Sequence, residues 1–499
     1  MPFTIAQFPS QDKLCKTFSL PVLERIYPRA MVDELIETFH SKPTRARKLT
    51  LTLVVYVLIC WSLFLNTTLG GVYADLCSQE RYLGEQDPEE LPRSGAWVYR
   101  RKQIGVDVLR EIFKRTCKPL ASPKTPGAFA YGMRLMAIDG TYEDVTDTLA
   151  NATRFGRRCS GETQSPFPQL HCVYLIEVGT HAIVDLQVAP CATSEQSLAW
   201  DLLPSLESGM LILMDRGFVG ACFLQALMDR SAHLLGRLPL KSYVRKEKIL
   251  SDGSYLVTLR PKDYPGLKKP LTVRVIEYNI KEKVAERLEH VTPSRVNGAS
   301  SDTNPDIRKV HRLVTTLLDP DLYPALDLCV LYHERWEIEL VIDEVKDHQR
   351  ISSHPLRSKL PDLVLQELYA LLLAHYAVRT MMWEAAMTRD LDPDRVSFTE
   401  GLLILKRGLN LSPFLSPASI KRSLSRMYVD LVSRNVLLPP RRLRFNCRVI
   451  KNVQHRFRRK KEIHQQVKLP ASQTFADLVD LSPAPDQTQS SGVMEPVSA

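Results

Sequence analysis

The chain has 499 residues, 44% of them hydrophobic and 24% charged, which is the composition of a globular protein long enough for two to four domains. Its formal net charge is +10, and such a surplus is typical of proteins that bind a polyanion, nucleic acid before membrane.

The ten cysteines form no CxxC pair, which argues against a zinc ribbon or a disulfide framework and favours reduced thiols in a cytosolic compartment. No basic segment leads into an early apolar run, so no signal peptide is expected.

Residues 1–125 are predicted to be helical. Residues 49–65 form an apolar run that is short for a membrane span and contains polar residues, so we expect a buried core helix and no membrane partner. Residues 94–105 and 106–115 predict two short helices joined near a glycine, a possible helix-turn-helix. Their basic residues are Arg100, Arg101, Lys102, Arg110, Lys114 and Arg115.

Two apolar runs in residues 126–240 predict strands that each end in an aspartate. The first, residues 134–138, leads into Asp139, and the second, residues 210–214, leads into Asp215. A single aspartate at such a place is often a turn residue or a helix cap. Open α/β sheets, however, bind ligands beyond the carboxyl ends of their strands. We therefore expect the two carboxylates to converge.

The second half of the chain changes character several times. Residues 241–325 contain alternating apolar and polar stretches, which predict an antiparallel β insertion. Residues 326–385 are helical by pattern, and residues 386–468 form a basic region. Within that region, residues 421–468 contain 15 Lys and Arg against Asp430 and Glu462, a net charge of +13. Residues 469–499 are rich in Pro, Ser and Gln and are expected to be disordered.

A stretch without Gly or Pro begins at Tyr332 and predicts a helix. Arg335, Glu339 and Lys346 follow at offsets of 3, 7 and 14, which return to one helical face. A carboxylate among cations suits a divalent metal beside a phosphodiester. The alternative is a surface helix whose charges form pairs one turn apart. Asp343 replaces Glu339 as the candidate carboxylate if the helix is rotated.

The spacing Tyr332-x2-Arg335-x3-Glu339-x6-Lys346 resembles the Tyr-Arg-Glu-Lys signature of bacterial DDE transposases of the insertion-sequence-four family. The segments Asp139-Gly-Thr, Ser194-Glu195 and Asp215-Arg-Gly-Phe resemble further parts of that family and occur in the same order. The resemblance implies an α/β fold, a ribonuclease-H-like catalytic core in residues 126–240 and 326–385, interrupted by the β insertion. It also implies a helical N-terminal DNA-binding domain (1–125) and a basic helical C-terminal region.

The resemblance further implies a cut-and-paste DNA transposase of the bacterial cytoplasm, which cleaves strands at transposon ends and transfers them to target DNA. Asp139, Asp215 and Glu339 are then the catalytic residues that hold two Mg²⁺ ions, with Mn²⁺ as a substitute. Tyr332, Arg335 and Lys346 are expected to bind DNA phosphates. The expected partners are double-stranded DNA, as inverted repeats and target, and a second copy of the chain in a homodimer on two DNA ends.

Two other functions share parts of this pattern. A metal-dependent nuclease of the same fold uses the same three acids without joining two DNA ends. A transposase-derived DNA-binding regulator keeps the basic regions and loses an acid, so the presence of all three acids argues against it.

Overall fold

The computed structural model describes residues 20–40, 49–64, 67–78, 91–160, 163–238, 245–280, 310–350, 354–409, 416–442 and 475–480. The chain divides into two compact units. The first unit consists of Met1–Phe218, Arg230–Ala232 and Arg335–Arg442, and the second of Val219–Asp229, His233–Glu334 and Leu443–Ala499.

Helices dominate the N-terminal part of the first unit. They are Pro21–Ile26, Arg29–Phe39, Leu51–Trp61, Leu69–Leu76, Ser94–Ile104 and Asp107–Thr116. The apolar run of residues 49–65 forms the helix Leu51–Trp61, in which every side chain except that of Thr52 is buried. Thr50 caps it, because its hydroxyl accepts a hydrogen bond from the Leu53 N–H at 3.1 Å. Among the described residues, no helix is long and apolar enough to cross a membrane.

The two short helices predicted near residue 105 are present, and Gly105 joins them with φ of 70°, a conformation that favours glycine. Arg101 is buried, and its guanidinium donates to Ser358 Oγ at 3.0 Å and to the Leu363 carbonyl at 2.7 Å. Because these contacts are inside the protein, Arg101 serves packing here. The helix-turn-helix interpretation stays a prediction for the other basic residues.

The first unit has a mixed sheet in which strand order is β6-β5-β2-β7. Its strands are β1 (Phe129–Ala130), β2 (Met133–Asp144), β5 (Gln169–Glu177), β6 (Ala182–Pro190) and β7 (Met210–Met214), and β3 (Cys159–Ser160) pairs with β4 (Thr163–Gln164) beside it. Strands β2, β5 and β6 are antiparallel neighbours, whereas β7 runs parallel to β2.

Strand β2 does not end at Asp139 as expected. It continues to Asp144, because its pairing with β5 extends to Asp144↔Gln169. The parallel partner β7 stops earlier, at the pair Ile138↔Met214. Asp139 therefore lies inside a strand, at the point where one of its two neighbours ends.

The first unit contains further helices. They are Leu149–Phe155, Glu195–Asp201, Trp336–Asp343, Pro361–Met387, Phe398–Leu409 and Pro417–Leu431. The helix Pro361–Met387 is buried along most of its length. Part of the region 386–468 is helical as expected, and its residues from 443 onward lie outside the described part.

The segment from Tyr332 to Lys346 is not the single regular helix that its sequence predicts. A helix Ala325–His333 ends at a turn of Glu334 and Arg335, the helix Trp336–Asp343 follows, and Glu344–His348 is a π-helical turn. The backbone stays right-handed through the turn, with φ −63° and ψ −12° at Glu334, but the helix assignment is interrupted there.

The second unit has an antiparallel sheet of order β8-β12-β11-β10-β9. The strands are β8 (His233–Arg237), β9 (Lys248–Ile249), β10 (Tyr255–Leu259), β11 (Leu271–Ile280) and β12 (Val310–Thr315). The antiparallel strands expected in residues 241–325 are thus present, and residues 281–309 lie outside the described part. Within the tail expected to be disordered, Val479–Asp480 forms β13 and pairs with β11.

Candidate active site

Two aspartates come together in the first unit's sheet, where β7 ends beside β2. Ile138 of β2 and Met214 of β7 are paired on parallel strands, and Asp139 and Asp215 are the next residues along each strand. Neighbouring strands are about 4.8 Å apart, so the backbones of the two aspartates are neighbours. The convergence arises because β2 and β7 run in the same direction.

Glu339 approaches the same place from the helix Trp336–Asp343. The Arg335 guanidinium lies 3.6 Å from Asp139 Oδ2 through Nη1, and its Nη2 donates to Glu339 Oε1 at 3.1 Å. Arg335 is only 9% exposed, and its guanidinium lies over the Trp336 ring at 5.1 Å. The shared guanidinium therefore connects the strand carboxylate to the helix carboxylate.

Asp139 is largely buried, and burial raises its pKa to about 6. The Gly140 N–H, which donates to Asp139 Oδ1 at 2.8 Å, and the nearby Arg335 both oppose that rise. The charges of Glu195 and Glu339 add to it. Several carboxylates thus lie close enough to Asp139 to penalise its negative charge, as expected of a site that receives a cation.

Glu195 is the site residue that sequence reasoning missed, although its Ser194-Glu195 segment stood out in the chain. It is the first residue of the helix Glu195–Asp201, capped by Ser194. A Cβ added to Gly140 would lie 2.0 Å from Glu195 Oε1, so this carboxylate rests on the backbone beside Asp139. We call Asp139, Asp215, Glu339 and Glu195 together the carboxylate site.

Lys346 also reaches β2 from the π-helical turn. Its Nζ donates to Thr141 Oγ1 at 2.9 Å and to the Tyr142 carbonyl at 2.6 Å. The ammonium therefore lies two to three residues beyond Asp139 along the same strand. Tyr332 belongs to the second unit, on the helix Ala325–His333, and its predicted phosphate contact stays a prediction.

Asp343 is the alternative candidate for the carboxylate that the helix contributes. It ends the helix Trp336–Asp343, and its side chain is exposed. Arg335 links Asp139 to Glu339, so the connection to the strand favours Glu339.

A second group of ionisable side chains lies buried in the first unit. His181, Glu337 and Asp394 offer ligand atoms within 4.8 Å of one another. Arginines already accompany them: Arg379 pairs with Glu344, and Arg441 with Asp394. We call this set the buried ion network, and its members are His181, Glu337, Glu344, His375, Arg379, Asp394 and Arg441.

The buried ion network does not suit a metal ion. His181 Nε2 lies 2.7 Å from Glu337 Oε2, a direct hydrogen-bond distance, and two guanidinium groups occupy its surroundings. A cation would have to displace protein cations that already balance the carboxylates.

Two family models match the chain. A transposase DDE domain matches residues 130–376, and the N-terminal domain of the insertion element 4 transposase matches residues 17–114. The chain belongs to the DDE transposases of the insertion-sequence-four family.

Two transposases of known insertion sequences agree with that assignment. The chain is 29% identical to the transposase InsG for insertion sequence element IS4 of Escherichia coli over 82% of this chain and 86% of the relative. It is 22% identical to the transposase for insertion sequence element IS231C of Bacillus thuringiensis over 66% of this chain and 71% of the relative. A solved piggyBac transposase synaptic complex with hairpin DNA is 10% identical with a TM-score of 0.41, covering 81% of this chain and 84% of that one.

DDE transposases act with divalent metal ions, and the carboxylate site of this transposase fits such ions. Its four carboxylates offer oxygen ligands, which Mg²⁺ and Mn²⁺ prefer. Gly140 has no Cβ, and Glu195 Oε1 occupies the space that a Cβ would fill. The core is a mixed α/β sheet with its acids on two parallel strands and a helix, and the protein is a DNA transposase.

Proposed function

We propose that this transposase cuts DNA at the ends of its element and joins them to target DNA, with Asp139, Asp215 and Glu339 as metal-holding catalytic residues. The observation that best supports the proposal is the parallel register of β2 and β7, which makes the two aspartates neighbours. Glu339 joins them through Arg335, which lies against both Asp139 and Glu339.

Two Mg²⁺ ions suit this donor set, with Mn²⁺ as a substitute. When bound, such ions activate the attacking water or 3′-hydroxyl and stabilise the leaving oxygen of an in-line displacement. Asp139 has to be deprotonated to act as a ligand. The Gly140 N–H and the Arg335 guanidinium both favour that form, even though burial disfavours it.

Arg335 and Lys346 are proposed to hold phosphate oxygens beside the carboxylates. Both cations are oriented by the protein itself: Arg335 by Asp139 and Glu339, and Lys346 by Thr141 and the Tyr142 carbonyl. Groups fixed in advance stabilise developing negative charge without having to reorganise. Tyr332 is proposed to contact a further phosphate oxygen.

The DNA partners proposed are the inverted repeats at the element's ends and a target duplex. The family resemblance implies that two DNA ends are brought together, and the described residues of one chain form one carboxylate site. We therefore propose that two copies of the chain act as a homodimer on two DNA ends, in the bacterial cytoplasm.

A cleavage assay tests the proposal. Purified protein is mixed with a duplex that contains the element's own end, with Mg²⁺ or with EDTA, and the wild type is compared with Glu339→Gln. We expect cutting at the end only with Mg²⁺ and its loss in the variant, which should still bind the duplex. Cutting that persists in EDTA or in Glu339→Gln would remove the proposed site.

A second substrate separates a transposase reaction from simple cleavage. A supercoiled plasmid is added as target, and joined products are measured on a gel. The proposal expects the cut ends to be joined to the plasmid, whereas cleavage without joined product would favour a metal-dependent nuclease.

A further inference from the structure

Glu195 occupies a position between the two aspartates of the carboxylate site. A Cβ added to Gly140, the residue after Asp139, would lie 2.0 Å from Glu195 Oε1. A Cβ added to Gly217, two residues after Asp215, would lie 3.6 Å from Glu195 Oε2. The two oxygens of one carboxylate thus lie against the chain segments that follow both aspartates.

The Glu195 carboxylate faces negative charge. Burial raises the pKa of Glu195, the neighbouring charge of Asp215 raises it further, and Arg158 opposes the rise. Arg158 stacks over the Tyr142 ring at 4.7 Å. Among the described residues, neither Glu195 nor Asp215 has a hydrogen-bond donor or an ion-pair partner for its carboxylate. Two neighbouring carboxylates without donors are costly unless a cation lies with them.

Asp139 and Glu339, the other two acids of the carboxylate site, have a protein cation beside them. Asp139 and Glu339 share the guanidinium of Arg335, so a protein cation already accompanies that pair. Within the part of the chain that the structure describes, no guanidinium or ammonium group forms an ion pair with Glu195 or Asp215, which leaves their oxygens available to an ion from solution.

We propose that Glu195 is a fourth carboxylate ligand of the divalent-ion site and acts beside Asp215. The inference rests on the proposed function, because it adds a residue to the same site. It also accounts for Gly140: a side chain there would collide with Glu195 and move its carboxylate away from Asp215.

The test measures ion binding directly. Mn²⁺ alone is titrated into the full-length, DNA-free chain and followed by isothermal calorimetry and by the loss of the free-ion electron paramagnetic resonance signal. The variants are Glu195→Gln, Glu195→Asp and Asp139→Asn. Glu207→Gln is the matched control, since Glu207 is exposed near the opposite end of β7.

We expect Glu195→Gln to weaken Mn²⁺ binding by about tenfold or more and Glu195→Asp to restore part of it. Glu207→Gln should bind as the wild type does, and Asp139→Asn should lose binding. If Asp139→Asn loses binding while Glu195→Gln binds like the wild type, Glu195 is not a ligand and the proposed function still stands. If the wild type itself binds no Mn²⁺, the proposed ion site fails, and this inference fails with it.

Thermal unfolding in EDTA separates a ligand from a merely structural residue. Removing one of two repelling carboxylates should leave the metal-free unfolding temperature of Glu195→Gln unchanged or raised, while Mn²⁺ should stabilise this variant less than the wild type. A lowered metal-free unfolding temperature together with unchanged Mn²⁺ stabilisation would make Glu195 structural and overturn the proposal.

Discussion

Two groups of acidic side chains lie in the first unit, and both use residues of the helix Trp336–Asp343, but they are balanced differently. In the buried ion network the positive partners are protein side chains. In the carboxylate site four acids have Arg335 as their one hydrogen-bonded cation among the described residues. Removing a buried acid whose charge the protein neutralises leaves a cation uncompensated and destabilises the fold, whereas acids whose charge is left unbalanced are available to a ligand.

The network is balanced in detail around His181. Its Nε2 lies 2.7 Å from Glu337 Oε2 and its Nδ1 3.1 Å from Glu344 Oε1. Burial and Arg379 lower the pKa of His181, but the carboxylates of Glu344 and Glu337 outweigh them, so its net shift is upward. Burial alone would raise the pKa of Glu344, yet Arg379 and His181 hold it well below its ordinary value.

The largest effect on stability is expected from Glu344→Gln. The substitution removes the carboxylate that pairs with Arg379 and His375 and leaves buried positive charge uncompensated. The expected loss is about 3–5 kcal/mol in the free energy of unfolding, measured by urea denaturation in EDTA. Glu207→Gln is the control, with a change within about 0.5 kcal/mol. A loss below about 1 kcal/mol for Glu344→Gln would show that the network does not stabilise the fold.

Asp215→Asn should leave the stability of the fold intact while it abolishes cleavage. It removes a negative charge that Glu195 repels, so the free energy of unfolding in EDTA should be unchanged within about 0.5 kcal/mol, or increased. Cleavage of the element's end should nevertheless be lost. A metal-free destabilisation as large as that of Glu344→Gln would erase the distinction between the two groups.

The dependence of stability on pH sharpens the comparison. The pKa of Glu344 is below its ordinary 4.5 in the folded chain, so its contribution is present above about pH 4.5 and is lost as the pH falls toward the folded value. The pKa of His181 is above its ordinary 6.5, so its contribution is present below about pH 6.5 and is lost as the pH rises through the folded value.

The network should therefore stabilise the fold most between about pH 4.5 and 6.5. The unfolding temperature is measured from pH 4 to 8 for the wild type and Glu344→Gln, and the difference between them should be greatest in that window. The groups that face His181 are Glu337, Glu344, Arg379 and Asp394, with His375 and Arg441 behind them. A pH-independent difference would mean that these groups titrate alike in the folded and unfolded chains.

The sequence was sufficient to predict what depends on local pattern. Apolar runs before Asp139 and Asp215 indicated two buried strands, and the parallel pairing of those strands brings the aspartates together. The break at Glu334 and the π-helical turn were not predictable, because the residues around them favour a continuous helix and tertiary context can override such a local preference. The buried ion network could not be predicted from the sequence either. His181 and Glu344 lie 163 residues apart along the chain, and no spacing rule links residues so far apart.

The smallest expected effect concerns the basic C-terminal region, where some cations belong to the network and others do not. Arg441 pairs with the buried Asp394, whereas Arg422 is exposed on the helix Pro417–Leu431 and Arg426 on that helix pairs with Asp430 at 3.2 Å.

If the region binds DNA, each phosphate contact adds about 0.9 to the slope of log affinity against log salt concentration. Arg422→Gln should lower the magnitude of that slope by about this amount, and Arg426→Gln, the matched control, by less. Arg441→Gln should instead lower the unfolding temperature and leave the slope unchanged. A slope that changes for Arg441→Gln but not for Arg422→Gln would place DNA at the network and remove the separation between structural and ligand-binding charges.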